Sequence, residues 1–335
     1  MPPKEKSRFT YARSLVLGLF LIQPISHAYA ENDIDAISQA AEQGDSAAQK
    51  KMASRYRYGL SVPRSYELAA NWYRKAAEQG DTEAQVDLGR LYELGFGVPQ
   101  DYQQAVAWYL KAAQKGSAPA QNSLGVSYES GDGVEQDSKQ AAFWYRKAAE
   151  QEHAAAQGNL GSLYERGMGV PQNYKEAAKW YRKAADRGYS WAQVGLGRLY
   201  ENGTGLPQDY RQAAKWYQTA ADHGLAWAQT NLGLLYSHGL GVQKDYKMAV
   251  YLYRKAAEQG DISAQNNLSI LYENGQGVTQ DYIQAYAWLS VAIANGSSDE
   301  NTIARRDRIA SRLSSEKLGK AQEISASYFK QYSGE

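Results

Sequence analysis

The chain offers few side chains of the kinds that do covalent or metal chemistry. It contains no Cys, so disulfides, thiolate metal sites and a cysteine nucleophile are excluded. Beyond residue 30 there are three His: His153, His223 and His238. None stands in the H-E-x-x-H spacing that places two imidazoles one helical turn apart on a single metal. Carboxylates are abundant, but Glu78, Glu150, Glu258, Asp101 and Asp209 sit where helix ends and caps are expected. Paired-carboxylate hydrolysis needs two acids that converge on one bond, and the sequence singles out no such pair. Gly167-Met168-Gly169 superficially resembles a phosphate-binding turn. It follows a helical pattern rather than a strand, and no Lys-Ser/Thr comes after it. The expectation is a protein without catalysis, metal or cofactor.

Aromatic residues are the remaining candidates, with 27 Tyr and 8 Trp. Most of them return every 36 positions. Tyr recurs from Tyr56 through Tyr92, Tyr128, Tyr164, Tyr200 and Tyr236 to Tyr272. Ala-Gln recurs from Ala48 to Ala264, and a Gly from Gly59 to Gly275, at the same interval. A short unit at fixed period predicts a solenoid, in which each unit buries its apolar face on its neighbours. Recurring aromatics are therefore read as structural.

The stretch Asp81 to Gly116 shows how one unit works. Asp81 can cap a helix on which Ala84, Leu88, Leu91 and Tyr92 form one apolar stripe. Gly95 supplies a left-handed C-cap and Pro99 prevents continuation. Asp101 then caps a second helix carrying Tyr102, Ala105, Trp108, Tyr109, Ala112 and Ala113. Short connections force the pair antiparallel. Gly89, Gly125, Gly161, Gly197 and Gly233 fall mid-helix, each at a cost of about 1 kcal/mol relative to Ala. The expected reason is close approach of the helix that carries the Trp.

The pattern A-x-A-Q-x-x-L-G-x-x-Y-x-x-G-x-G-V-x-Q-D-Y-x-x-A-x-x-W-Y-x-K-A-A-E-Q-G, as in Ala154 to Gly188, resembles the Sel1-like repeat, a relative of the tetratricopeptide repeat. The resemblance covers seven units over residues 45–296. It implies an all-α superhelix of helix pairs with a concave face, and contact with proteins rather than catalysis. Relatives of the exported type include scaffolds and regulators of the bacterial cell envelope and secreted host-interaction factors. Residues 31–44 read as a capping helix. Residues 297–335 read as a helical cap of about Asp299 to Leu313 and Ser315 to Tyr332. Its apolar marks are Ile303, Ala310 and Leu313, then Leu318, Ala321, Ile324 and Tyr328.

Residues 1–30 have the three-part layout of a secretory signal. Lys4, Lys6, Arg8 and Arg13 precede the apolar run Leu15 to Ile22, and Ala28-Tyr29-Ala30 follows Pro24. The run is too short to span a bilayer stably, so no integral membrane segment is expected in the mature chain. Export with no Cys, which also rules out a lipid-anchored Cys at the cleavage point, suggests the periplasm or secretion. Cleavage would remove four bases and one acid and change the net charge from +1 to −2. A nearly neutral chain gives no reason to expect nucleic acid as a partner.

Function is then sought in departures from the repeat. Six of the eight Trp occupy one recurring place, namely Trp72, Trp108, Trp144, Trp180, Trp216 and Trp288. Trp191 and Trp227 do not; they stand one unit apart, each just before Ala-Gln. The cap place holds Asp45, Asp81, Ser117 and Asp261, but His153, Tyr189 and Leu225 in units four to six. These three units are read as having given up their caps. Tyr189, Trp191, Leu225 and Trp227, extended by Arg198, Asn231 and His238, form the expected partner-binding set. Two such Trp, about 10 Å apart in a stacked array, would make a ledge for a protein partner. They could instead stack on an envelope glycan such as peptidoglycan, or simply cover the preceding helix.

Cleavage after Ala30 is expected to give a mature protein beginning at Glu31. Amino-terminal sequencing of the exported protein tests this, and an intact Met1 on a membrane-bound chain would contradict it.

Overall fold

The computed structural model describes residues 27–297 and 300–332, and among them there is no strand. α1 (His27–Glu42) precedes seven helix pairs. They begin with α2 (Ser46–Tyr58) and α3 (Tyr66–Glu78), α4 (Thr82–Leu94) and α5 (Tyr102–Gln114), and α6 (Ala118–Ser130) and α7 (Ser138–Glu150). α8 (Ala154–Arg166) and α9 (Tyr174–Asp186), then α10 (Ser190–Asn202) and α11 (Tyr210–Asp222), form the middle. α12 (Ala226–His238) and α13 (Tyr246–Ala257), and α14 (Ile262–Asn274) and α15 (Tyr282–Ala294), complete the array. α16 (Glu300–Ala310) and α17 (Ser315–Tyr332) pack on α15 and close it. Each helix of the array packs on the one before and the one after, so the chain is an α-solenoid.

The expected signal segment lies outside the described residues except for His27 to Ala30, which form the start of α1. In α16 the buried residue is Ile309; Ile303, Ala310 and Leu313, expected to mark that face, are only half-buried. Ile309 enters the core of the last unit beside Trp288 and Leu289. In α17 Ala321 is buried, while Leu318, Ile324 and Tyr328 are half-buried.

Local chemistry sets the boundaries as the unit predicts. The Asp81 carboxylate accepts from the Ala84 N–H at 2.9 Å, and that of Asp101 from Gln104 at 3.0 Å. Gly95 takes φ 69°, and its N–H bonds back to the Leu91 carbonyl. The second loop glycine, Gly97, also takes φ 69° and has a further reason. A Cβ on Gly97 would come within 2.1 Å of the Tyr66 backbone in the preceding unit. Unit one has no preceding pair to meet, and Ser61 occupies that place at φ 59°.

The core is thin and made largely of Ala, Leu and Tyr. The mid-helix glycines do face the helix that carries the Trp, but the ring that touches them is the next residue. A Cβ on Gly125 would lie 2.4 Å from the Tyr145 ring, and one on Gly89 2.5 Å from Tyr109. Tyr73, Tyr109, Tyr145, Tyr217 and Tyr253 are among the largest fully buried side chains. Trp144, read from its spacing as a core residue, is half-buried, with Lys147 within cation–π distance of its ring. Its helix turns Tyr145 inward and leaves the Trp at the margin.

Two glycine substitutions separate these effects. Gly319 lies in α17 with nothing within 4 Å of where its Cβ would be. Gly319→Ala is expected to stabilise the protein by up to about 1 kcal/mol, the helix-propensity gain. Gly125→Ala gains the same propensity but drives a methyl into a packed ring, and is expected to destabilise by about 1–3 kcal/mol. Denaturant melts check the opposite signs; a stabilised Gly125→Ala would show that the ring can move aside.

Candidate functional site

Seven glutamines bind the units together. Each Ala-Gln glutamine donates its Nε2 to a carbonyl near the end of the preceding helix, as Gln85 does to Ala77 at 3.0 Å and Gln193 to Ala185 at 3.2 Å. A second network crosses the first helices. Tyr181 donates its hydroxyl to Glu165 at 2.7 Å, and Arg198 of the next unit meets the same carboxylate at 2.7 Å. Arg166 pairs with Glu129 at 2.6 Å in the unit before, and Glu129 also accepts from Tyr145. Burial, then the adjacent Glu165 charge, holds the Tyr181 hydroxyl far above the usual phenol range. In unit six Ser237 replaces the glutamate, and burial alone raises Tyr253 to about 12.

Against this frame the expected partner-binding residues divide. Trp191 and Trp227 are 48% and 45% exposed, in the first turns of α10 and α12. Asn231 is half-buried and His238 exposed on α12. The His238 Nδ1 lies 3.0 Å from the Leu234 carbonyl, a bond within its own helix. Three others are occupied in holding the array. The Tyr189 ring lies on Gly158 of the preceding unit, where a Cβ would come within 2.5 Å of it. Leu225 packs on the core of unit six. Arg198 belongs to the Tyr181–Glu165 network.

The reading of three lost caps is corrected at one of them. The His153 Nδ1 accepts from the Ala156 N–H at 3.3 Å, so unit four keeps its cap. Tyr189 and Leu225 make no side-chain cap bond. Other aromatics are exposed too, among them Phe143 at 48% and Tyr251 at 52%, but these two stand on second helices. A cleft of about 420 Å³ beside α17 is lined by Trp288, Tyr328 and Tyr332, but these rings stack on one another. Among the described residues no three His, Asp or Glu converge as a metal site.

A family model, the Sel1 repeat, matches residues 46–81, 82–117, 118–153, 154–189, 192–225, 228–261 and 262–297. The chain belongs to the Sel1 repeat family. Its matches leave out residues 190–191 and 226–227, the two places that hold Trp191 and Trp227. A Sel1 repeat protein from Oxalobacter formigenes is 32% identical over 86% of this chain and 82% of its own, with a TM-score of 0.66. The c5321 protein, described as a protective antigen of uropathogenic Escherichia coli strains, is 29% identical over 89% of this chain and 87% of its own, with a TM-score of 0.51. A search of curated proteins gives no match.

The Sel1 frame explains what reading the sequence missed. The Tyr–Glu–Arg network rests on Glu93, Glu129, Glu165 and Glu201, each directly after a recurring Tyr. The recurrence was visible. The arginines that answer it are not periodic, so Arg198 looked like a free surface residue.

Burial pushes the His153 imidazole below its ordinary 6.5, with nearby Arg90 adding to the effect. Its contribution is therefore full above pH 6.5 and lost as pH falls through the depressed folded-state value. Protonation of Nδ1 also removes the cap, worth about 1 kcal/mol. Relative to His153→Asn, the wild type is expected to lose stability as pH falls across that window. A stability difference that stays constant between about pH 8 and pH 5 in denaturant melts would contradict this.

Proposed function

We propose that this chain is an exported, non-catalytic scaffold of the bacterial cell envelope that captures a protein partner on units four to six, at Trp191 and Trp227. Sel1 repeat proteins as a class are protein-interaction scaffolds. One observation carries the choice of site: two exposed Trp in adjacent units, at the places where the family pattern breaks. Exposed aromatics on a rigid scaffold are strong candidates for interface anchors, because burying each releases a large apolar area at little entropic cost. Asn231 and His238 extend the ledge along α12. Tyr189, Leu225 and Arg198 hold α10 and α12 in register beneath it. The placement in the envelope rests on the sequence of residues 1–30 alone.

Replacing Trp191 and Trp227 together with Ala is expected to leave helicity intact, since neither ring is core. Affinity for the protein that the wild type captures from envelope extract should fall at least about tenfold, or 1.4 kcal/mol. Undiminished binding by the folded double variant would remove both Trp from the interface. Retention on peptidoglycan, lost by the same variant, would favour the glycan reading.

A further inference from the structure

The near-zero net charge hides a segregation that appears only when the second helices are laid side by side. On α7, α9, α11 and α13 the buried stripe, such as Ala141, Tyr145 and Ala148 on α7, points into the array. The opposite side of each helix carries a line of three residues four apart. These lines read Lys139-Phe143-Lys147, Lys175-Lys179-Lys183, Arg211-Lys215-Thr219 and Lys247-Tyr251-Lys255. Nine of the twelve are cations, all nine are exposed, and none of the twelve is an acid. Among the described residues only Lys179 of the nine has an acid at ion-pair distance, Glu176 at 3.5 Å. The two aromatics are open as well, Phe143 at 48% and Tyr251 at 52%. Lys147 and Lys255 lie over these rings, at 4.9 Å and 4.8 Å from their centroids.

Helix-end electrostatics accounts for the last-turn row Lys147, Lys183 and Lys255 but not for the first row. Cations are favoured in the last turn of a helix and disfavoured in the first. Lys139, Lys175, Arg211 and Lys247 form a row at the second residue of each helix, where the dipole opposes them. Solubility does not require it either, since mixed signs serve that purpose.

We propose that this face docks an extended acidic segment, rich in Asp and Glu, of a protein partner. Each second helix packs on the first helices that flank it rather than on the next second helix, so with about 10 Å as the least spacing four of them present a strip at least about 30 Å long. An extended chain needs at least about nine residues to cover that length. The direction is set by a fourth row. Below the cations, toward the helix C-termini, stand Glu150, Asp186, Asp222 and Glu258. A single acidic strand can lie along the cationic rows and avoid this one. An anionic bilayer is broad enough to press on all four rows and meets the acids too. Phe143 and Tyr251, at the two ends of the middle row, are placed to clamp the aliphatic parts of such a strand. The surface is separate from the Trp ledge, which lies on the first helices, so the proposal does not depend on that site.

The test uses the full chain and a labelled peptide of about a dozen Asp and Glu residues, long enough to cross the strip. The wild type should bind it with an affinity that falls steeply as salt is raised. A variant with Lys175→Gln, Lys179→Gln, Arg211→Gln and Lys215→Gln should keep its circular dichroism and bind at least tenfold more weakly. A control with Lys51, Lys317, Lys320 and Lys330 changed to Gln, all of them exposed and off the strip, should leave binding within about twofold of wild type. An equal loss in the four-lysine control would reduce the effect to net charge and overturn the proposal. So would wild-type binding of an uncharged Asn/Gln peptide as tight as that of the acidic one. Tighter binding of phosphatidylglycerol vesicles or an oligothymidylate than of the peptide, abolished by the same substitutions, would assign the face to a membrane or nucleic acid instead.

Discussion

A tyrosine ring lying on a glycine sets the geometry of the unit. Tyr109 on Gly89, Tyr145 on Gly125, Tyr181 on Gly161, Tyr217 on Gly197 and Tyr253 on Gly233 all place ring atoms where a Cβ would otherwise be. The contact lets the two helices of a pair approach closely while filling the space between them with one large, rigid side chain. A buried phenol needs a partner for its hydroxyl. In units two to five that partner is the glutamate following the recurring Tyr. The glutamate then presents a partly buried charge, and in units three and four an arginine of the next unit answers it. Helix spacing within a unit is thus linked to attachment between units. At the end of the array Leu289 replaces the tyrosine, and Arg305 of α16 takes over Glu273 at 3.0 Å.

The junctions between units vary more than the units do. Every Ala-Gln glutamine donates to the preceding helix, but its Oε1 is bonded only where the residue thirty positions later carries an amide. Gln79, Gln151, Gln259 and Asn295 supply that donor to Gln49, Gln121, Gln229 and Gln265. Lys115, Arg187 and His223 stand there instead for Gln85, Gln157 and Gln193, and bond elsewhere. Those three buried Oε1 atoms have no protein partner. An unsatisfied buried carbonyl costs about 1–3 kcal/mol. The junctions after units two, four and five are therefore the weaker ones, and two of them bound unit five, whose α10 carries Trp191.

The repeat made the fold legible. Period, caps, loop glycines and end helices could all be read from spacing, because each answers a local requirement of helix starts and stops. What escaped was direction. Spacing placed Trp144 and Tyr145 on one apolar stripe, but only packing shows that the tyrosine points inward. Spacing likewise made Tyr189 look like a lost cap open to solvent, whereas its ring covers Gly158, a glycine outside the repeat pattern. His153 departs from the usual cap residues and yet caps, because a neutral imidazole nitrogen can accept. The basic strip was invisible for a related reason. Its residues are scattered through the sequence at intervals of four and thirty-six and come together only across helices.

The central claim is that residues shared by the Sel1 units hold the array, while Trp191 and Trp227 are free of that duty and serve recognition. The most direct measurement replaces both with glutamate, the residue that unit two carries at the same place as Glu83, and follows the thermal midpoint and partner binding together. The account predicts an unchanged midpoint and lost binding. A lowered midpoint with binding retained would show that the two rings are structural and that the partner sits elsewhere.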